Sequence, residues 1–335
     1  MSAVHVPVER ALQLEKGYTS IASRRMKWWD GGIESIVLFY NSTSGEGKRF
    51  ISSALLDDPP DPGKVGSFSI DKGWDFFVLV SVGGNYYAQT YRGDGSHAIY
   101  QVKTDGSPDP VTGPLPGGKN DVWGSGWTSV EPFMTSGQQW LFLYNKVTGE
   151  RKFRRYNEEL GTENVDETQS SSQNFKIGPG FTSISAAEFP ADDPSGTPLI
   201  ILYTQDDGSS LTCKVQQVNG KVELANGPQP TNLFREPKYT NQLVFVDPDR
   251  TYVLNYASGS GKARNSIVSL DSRTLTPNHM RSDWPPNYSS CVAFDASPAS
   301  DWHSHRYSLV LLYDIKSGTA QRFNAAFLVS EEEPP

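Results

Sequence analysis

The side chains that could do chemistry lie in a few short segments of the sequence. The segment SRRMKWWDGG (23–32) combines two cations, Arg24 and Arg25, with the aromatic pair Trp28 and Trp29. A guanidinium can donate hydrogen bonds to a carbonyl oxygen, and an indole can stack on an apolar ring or on a sugar face. We therefore take this segment as the first candidate for a ligand site.

A second cluster lies in DWHSHR (301–306), where His303 and His305 flank a serine and follow Trp302. In an extended segment, residues i and i+2 face the same side, so both imidazoles would point together. A metal site needs at least a third ligand, and the sequence does not place one. We expect no metal here and consider two roles, a surface loop or hydrogen-bond and proton donors to a ligand.

Glu131 is the third candidate, because it is the single charged residue of the segment VEPFMTSG (130–137). Its carboxyl group could act as a general acid. Glu188, Asp247 and Asp295 occur at comparable places elsewhere in the chain. The structural alternative for each is a solvated wall or an ion pair between neighbouring units.

The composition narrows the classes of partner and cofactor. The 335 residues carry a formal net charge of -8 with a pI near 5.2, which argues against nucleic acid. No run of 18 apolar residues predicts a membrane span, and no nucleotide-binding, nucleophile-elbow or zinc-protease motif occurs, so we expect no cofactor. We expect a cytoplasmic location. Secretion after removal of a leader is the alternative, in which case the sequons at Asn41 and Asn287 would matter.

The elements that must position these residues repeat along the chain. Six tyrosines recur at intervals of 51 to 59 residues, and a glycine follows five residues after five of them. They are Tyr40, Tyr91, Tyr144, Tyr203, Tyr256 and Tyr313. Each follows an apolar run, and 30 glycines and 23 prolines suit short strands joined by tight turns. We interpret the tyrosine and the glycine as structural: the ring packs between units, and glycine permits a positive φ.

Units of about 50 residues with four short strands predict an all-β fold, a six-bladed β-propeller in one domain. The predicted blades span residues 17–72, 73–125, 126–179, 180–237, 238–286 and 287–329. Residues 4–16 would supply the last strand of the sixth blade and so close the ring, which removes exposed sheet edges. Runs such as WLFLY (140–144) are apolar at consecutive positions, which is typical of strands covered on both faces.

Polar residues on the first strand of each unit are not copied from unit to unit. A propeller with equivalent sites would repeat its ligand-binding side chains, whereas here the charged residues differ from unit to unit, with Arg24 and Arg25 in the first and Glu131 alone in the third. We expect first strands to line the central channel, with alternate residues facing it. The pattern favours a single asymmetric pocket.

The repeat architecture resembles the fungal six-bladed lectin-like propellers, of which fucose-specific lectins are familiar members. The resemblance covers almost the whole chain. Those lectins repeat an Arg, a Glu and a Trp or Tyr in each sugar pocket, and this triplet does not recur here, so their sugar-binding residues are not carried over. The chain is also similar to the propeller-type hetero-Diels–Alderases of fungal natural-product pathways, which use one pocket.

The second resemblance implies the leading hypothesis, a cofactor-independent cyclase that joins small apolar or aromatic substrates in a central pocket. The candidate catalytic residues are Arg24, Arg25, Glu131, His303 and His305. The candidate substrate-binding residues are Trp28, Trp29, Trp74, Trp127 and Trp302. The alternative is a carbohydrate-binding lectin, in which Trp74 and Trp127 would stack on glycans, and a third possibility is a protein-interaction propeller.

Overall fold

The computed structural model describes most of the chain. The described residues are 9–27, 33–56, 62–103, 106–110, 123–135, 137–157, 160, 162–164, 177–187, 199–204, 208–218, 221–231, 239–247, 250–268, 275–281, 284–296 and 307–324. The all-β prediction is confirmed, and the sheets are arranged as a β-propeller.

The described strands form six antiparallel sheets of four strands, numbered here in chain order. Sheet 1 consists of β2 (Ser20–Lys27), β3 (Ile33–Tyr40), β4 (Glu46–Ile51) and β5 (Val65–Ser69). Sheet 2 consists of β6 (Phe76–Val82), β7 (Asn85–Tyr91), β8 (His97–Val102) and β9 (Pro108–Pro110). Sheet 3 consists of β10 (Ser129–Thr135), β11 (Gln138–Tyr144), β12 (Arg151–Tyr156) and β13 (Thr162–Asn164).

The second half of the chain follows the same order. Sheet 4 consists of β14 (Ser183–Ala187), β15 (Leu199–Tyr203), β16 (Ser210–Val218) and β17 (Lys221–Thr231). Sheet 5 consists of β18 (Asn241–Asp247), β19 (Arg250–Tyr256), β20 (Ala263–Val268) and β21 (Leu275–Arg281). Sheet 6 consists of β22 (Ser290–Ala296), β23 (Tyr307–Tyr313), β24 (Thr319–Asn324) and β1 (Glu9–Gln13).

The ring closes as the sequence predicts. The first strand of each sheet contacts the first strand of the next, and β22 of sheet 6 contacts β2 of sheet 1. The N-terminal strand β1 pairs with β24, with Leu12 opposite Ala320. Two 3₁₀ helices, Ser52–Leu56 and Pro62–Lys64, interrupt the connection from β4 to β5. Leu55 of the first helix is buried in the core between sheets 6 and 1.

The second strand of a sheet is buried on both faces, which explains its continuous apolar run. In β11, all residues from Trp140 to Tyr144 are fully buried. Phe142 packs in the core shared with sheet 4, whereas Leu141 and Leu143 pack in the core shared with sheet 2. Because successive side chains of a strand point to opposite faces, every position in this strand meets a neighbouring sheet.

The recurrent tyrosine links each sheet to the segment that begins the next one. Tyr144, the last residue of β11, is fully buried, and its hydroxyl donates to the carbonyl oxygen of Gly178 at 2.7 Å. The same hydroxyl accepts a hydrogen bond of 3.4 Å from the amide of Phe181. Equivalent bonds to a backbone carbonyl are made by Tyr40 to Asp71, Tyr91 to Gly124, Tyr256 to Pro285 and Tyr313 to Glu15. The copied tyrosines therefore hold the ring together, and the Tyr203 side chain lies outside the described residues.

The recurrent glycine is required by the backbone. Gly149 has φ +74, in the left-handed region that favours glycine, and a Cβ there would lie 2.6 Å from the carbonyl oxygen of Ile177. Gly318 is similar, with φ +76, and a Cβ there would lie 2.4 Å from the carbonyl oxygen of Leu14. The predicted positive φ is confirmed at these turns, and the close approach lets the turn pack on the strand entering the next sheet.

Candidate functional site

Arg24 and Arg25 lie on β2, on opposite faces of sheet 1. Arg24 is half-buried and shares its face with Ala22 and Met26, which pack against sheet 2. Arg25 is exposed and shares its face with Ser23, whose hydroxyl donates to the Ala293 carbonyl oxygen of sheet 6 at 2.5 Å. Alternate residues of this first strand thus face the two neighbouring sheets. That one of these two arginines faces the central channel stays a prediction.

Glu131 on β10 holds sheets 3 and 4 together. Its Oε1 accepts a hydrogen bond of 2.8 Å from the backbone amide of Ala186 on β14. The carboxylate is half-buried between the two first strands. This contact links neighbouring units, as the structural alternative for the acidic residues expects. The partner is a backbone amide, however, and not the cation of an ion pair.

The described polar contacts between neighbouring first or second strands are of three kinds: a serine hydroxyl, a glutamine amide and a glutamate carboxylate. Ser23 bridges sheets 1 and 6 through a hydroxyl, and Glu131 bridges sheets 3 and 4 through a carboxylate. Gln139 bridges sheets 3 and 2, because its Oε1 accepts from the Ser81 amide at 2.9 Å. Ser185 bridges sheets 4 and 5 with a long bond of 3.5 Å to a carbonyl oxygen. The inner polar residues are therefore not copied, in contrast to the tyrosine bridges.

Trp74 and Trp127 are part of the packing between units. They are 5% and 4% exposed, respectively. The Arg92 guanidinium lies 4.6 Å from the centroid of Trp74, and the Lys152 ammonium lies 5.4 Å from that of Trp127. The backbone amide of each tryptophan donates to the tyrosine hydroxyl of the preceding sheet. In this arrangement neither indole offers an open face for stacking on a glycan.

The other candidate residues lie outside the described part of the chain. They are Trp28, Trp29, Trp302, His303 and His305. The side chains of Glu188, Asp247 and Asp295 are likewise outside it. Among the residues that the structure describes, no group of three His, Cys, Asp or Glu side chains is placed to hold a metal ion. No helix in the same part of the chain has the length and apolar character needed to cross a membrane.

A buried cationic cluster lies between sheets 2 and 3. The rings of His97 and Trp123 stack with their centroids 4.6 Å apart. The Arg154 guanidinium lies 5.5 Å from the Trp123 ring, and its Nε donates to the Thr162 hydroxyl at 2.9 Å. Burial, and then the Arg154 charge, lower the pKa of His97 to about 4, so the imidazole is neutral near neutral pH. Sequence analysis missed this cluster, because its members lie on separate segments.

A second feature missed by sequence analysis is the polar face that sheet 5 turns toward sheet 4, which we call the sheet 4–5 seam. It is formed on sheet 5 by Gln242, Thr251, Asn255 and Ser266, and on sheet 4 by Ser185. Four buried polar atoms of the seam have no hydrogen-bond partner: Gln242 Oε1, Thr251 Oγ1, Asn255 Nδ2 and Ser266 Oγ. Their burial without partners is costly, so the seam is the most unusual polar surface of the described chain.

The sequence carried one signal of the seam. The residue before the recurrent tyrosine is apolar at Phe39, Leu143, Leu202 and Leu312, whereas Asn255 is an amide. Thr90 is the other polar residue at this position, and its hydroxyl is satisfied by the Ala98 carbonyl oxygen at 3.1 Å. A polar side chain in a fully buried strand position thus marks a place where function can be sought.

No family model matches the chain, and no curated protein matches it in sequence. Solved structures do resemble it. AofleA from Arthrobotrys oligospora has a TM-score of 0.58 and 11% identity, over 91% of this chain and 83% of that chain. The major Malassezia sympodialis allergen Mala s 1 has a TM-score of 0.54 and 9% identity, over 95% of this chain and 96% of that chain. At such low identity the likeness establishes a β-propeller fold and leaves the ligand open.

Proposed function

We propose that the protein is a six-bladed lectin-like propeller that binds one small organic ligand at a single site. The observation that carries this proposal is the contrast between copied and uncopied contacts. The tyrosine bridges recur from sheet to sheet, whereas the inner contacts are made by a serine hydroxyl in sheets 1 and 4 and by Gln139 and Glu131 in sheet 3. A protein with several equivalent sites would copy its inner polar residues as well as its scaffold.

The ligand that we favour is an uncharged molecule rich in hydroxyl groups, such as a carbohydrate. Four of the buried polar atoms that have no partner lie together on one face of sheet 5, and they are hydroxyls and amides of Gln242, Thr251, Asn255 and Ser266. Such groups donate to and accept from hydroxyls without burying a charge. The lectin hypothesis is therefore retained in a changed form, with one site per chain and without stacking on Trp74 or Trp127.

Glycan-array binding followed by calorimetry tests the proposal. We expect a restricted array profile and a stoichiometry of one ligand per chain. A stoichiometry of several ligands per chain would contradict the single site. A flat array profile together with no calorimetric signal for the arrayed sugars would reject carbohydrate binding.

The second candidate is a cofactor-independent hetero-Diels–Alder cycloaddition in a single pocket. Arg24 favours it, because a half-buried guanidinium on an inner strand could stabilise negative charge that develops on a carbonyl oxygen. Holding two reactants in register could supply several kcal/mol, on the order of 7–11 in the best cases. Incubation with a quinone methide precursor and humulene would test it. The wild-type chain and Arg24→Gln are compared with the spontaneous reaction. If both give the product ratio of the spontaneous reaction, this candidate is rejected.

We also propose a cytoplasmic location. Cys213 is a buried free thiol and Cys291 a half-buried one, and burial raises the pKa of Cys291 to about 12, so both are unreactive apolar groups in this fold. Fractionation with endoglycosidase treatment tests the location. A glycan at Asn41 or Asn287 would show that the chain enters the secretory route instead.

A further inference from the structure

The two faces of sheet 5 differ, since one is apolar and the other carries polar residues beside the buried Val253 and Val268. One face carries Leu243, Phe245 and Leu254, which pack with Val310 and Leu312 of sheet 6 in an apolar core. The residues of the seam alternate with them along the strands, so they point the other way, toward sheet 4. Ser185 of sheet 4 adjoins this part of sheet 5, because its hydroxyl donates to the backbone carbonyl oxygen of Gln242.

The polar groups of the seam are deeply buried and incompletely bonded. Asn255 and Ser266 are 0% exposed and Thr251 is 1% exposed. Gln242 Nε2 donates to Asn255 Oδ1 at 3.1 Å, which leaves Gln242 Oε1 and Asn255 Nδ2 unsatisfied. Nearly all buried polar groups in native proteins have a partner in protein, water or ligand. The closed seam therefore lacks an acceptor for Asn255 Nδ2 and a donor for the side-chain oxygen Gln242 Oε1.

Two other polar side chains buried between sheets are satisfied, although the indole N–H groups of Trp140 and Trp284 are not. Gln139, 3% exposed between sheets 3 and 2, accepts from the Ser81 amide and donates from Nε2 to the carbonyl oxygens of Phe133 and Trp140. Thr90, 0% exposed, occupies the position equivalent to Asn255 and donates to Ala98. The fold can thus satisfy such groups internally, and it does not do so at the seam.

The strands beside the seam are irregular. The pairing of β16 with β17 in sheet 4 shifts register between Thr212 and Lys214, and that of β20 with β21 in sheet 5 shifts between Arg264 and Ser266. Among the described strand pairs, only these two show a shift. Bulges occur preferentially at binding sites, where they redirect side chains and weaken pairing. The two sheets that meet at the seam are therefore the ones with interrupted pairing.

We infer that sheets 4 and 5 separate at the seam to admit a small uncharged ligand with at least two hydroxyl groups, of the size of a polyol or a monosaccharide. This inference rests on the proposed single-site function and assigns the site. One ligand hydroxyl accepts from Asn255 Nδ2 and donates to Gln242 Oε1, and another bonds to the hydroxyls of Thr251 and Ser266. The unsatisfied atoms are inaccessible in the closed state, so binding requires opening, as in a cryptic site.

Hydrogen exchange tests the opening. The probes are glycerol, D-galactose and L-fucose at millimolar concentrations, added to the full chain. We expect at least one sugar to slow amide exchange in β18, β19 and β20 and to leave β6 to β8 of sheet 2 unchanged. No change in the exchange of these sheet 5 strands with any probe would overturn the inference.

A matched pair of isosteric variants tests the unsatisfied state. Thr251→Val removes a hydroxyl without a partner, whereas Thr90→Val removes a hydroxyl that donates to Ala98. We expect the first change to leave the thermal midpoint equal or higher and the second to lower it. If Thr251→Val lowers the midpoint as much as Thr90→Val does, the hydroxyl has a partner and the seam inference fails.

A binding variant separates failure of the site from failure of the function. Asn255→Leu replaces the amide by an apolar side chain of similar volume. Its array signal should be at least tenfold lower than that of the wild-type chain. Unchanged array binding by a folded Asn255→Leu chain would place the site elsewhere and leave the proposed function intact. Absence of array binding by the wild-type chain would reject the function, and the threonine pair would still decide whether the seam is unsatisfied.

Discussion

The hydroxyl of Tyr144 at the end of sheet 3 donates a 2.7 Å hydrogen bond to the carbonyl oxygen of Gly178, on the segment that enters sheet 4. The Phe181 amide donates to the same hydroxyl. A single atom thus joins two neighbouring sheets as acceptor and donor, and the arrangement recurs at the equivalent tyrosines.

Replacement of Tyr144 by phenylalanine should therefore destabilise the closed ring of sheets. The packing of the aromatic side chain is preserved, but the partly buried Gly178 carbonyl and the buried Phe181 amide lose their partner, which costs about 1–3 kcal/mol. Tyr87→Phe is the control, because Tyr87 is buried and is not one of the bridging tyrosines. Urea unfolding should show a clear loss for Tyr144→Phe and a smaller one for the control. Equal losses would contradict a linking role for the hydroxyl.

Gly149→Ala should be more damaging than Gly137→Ala. Both glycines have a similar φ, +74 and +72, so the backbone strain of alanine is about the same, roughly 1 kcal/mol. At Gly149 a Cβ also meets the Ile177 carbonyl oxygen, whereas at Gly137 no heavy atom lies within 4 Å. We expect Gly149→Ala to lose at least about 1 kcal/mol more in the free energy of unfolding. A loss no larger than that of Gly137→Ala would show that the turn shifts freely.

The His97 cluster should make the protein sensitive to acid. The pKa of His97 in the folded chain, about 4, lies below its ordinary value of 6.5, so between these pH values the unfolded chain binds the proton more readily. Stability should therefore be complete above pH 6.5 and fall as the pH decreases toward 4. The loss should be on the order of 2 kcal/mol, since the ring is only half-buried.

His97→Phe is the matched variant for this prediction. It preserves an aromatic ring against Trp123 and removes the titrating group. Urea unfolding followed by Trp fluorescence at pH 7.5, 6, 5 and 4.5 should give a flatter pH profile for the variant. Parallel profiles for the two chains would show that other groups cause the acid sensitivity.

Glu131 distinguishes a structural role from a catalytic one. Glu131→Gln preserves a side-chain oxygen that can accept from the Ala186 amide, so we expect a loss below about 0.5 kcal/mol. Glu131→Ala leaves the amide without that acceptor and should cost about 1–2 kcal/mol. Thermal unfolding of both variants checks this. A Gln variant that is as unstable as the Ala variant would show that the negative charge is essential.

The repeated part of the fold was predictable from the sequence, because each unit carries the same strong local signals. The tyrosine, the glycine at positive φ and the apolar second strand recur. The sixth unit lacks a fourth strand of its own, and β1, which lies within residues 4–16, supplies it. Leu12 of β1 is indeed buried in the core between sheets 6 and 1. Local patterns of this kind depend on the pleat and on turn geometry, which act within a few residues.

The candidate site was less predictable, because its chemistry depends on the neighbouring sheet. The backbone amide that Glu131 accepts from belongs to Ala186, which lies 55 residues away in the chain. His97 becomes neutral through Trp123 and Arg154, which belong to other segments. Asn255 was visible as a polar residue in an apolar run, but its missing partner emerges only when sheets 4 and 5 are placed together.

The pairing of β1 with β24 has a consequence for biosynthesis. Glu9 lies opposite Phe323, so β1 obtains its partner only after sheets 1 to 5 have been synthesised. Until then β1 is an open edge, able to pair with β24 of a second molecule. Closure by β1 therefore has to wait for β24, and slow translation of the segment that contains β24 would favour exchange of β1 between newly made chains.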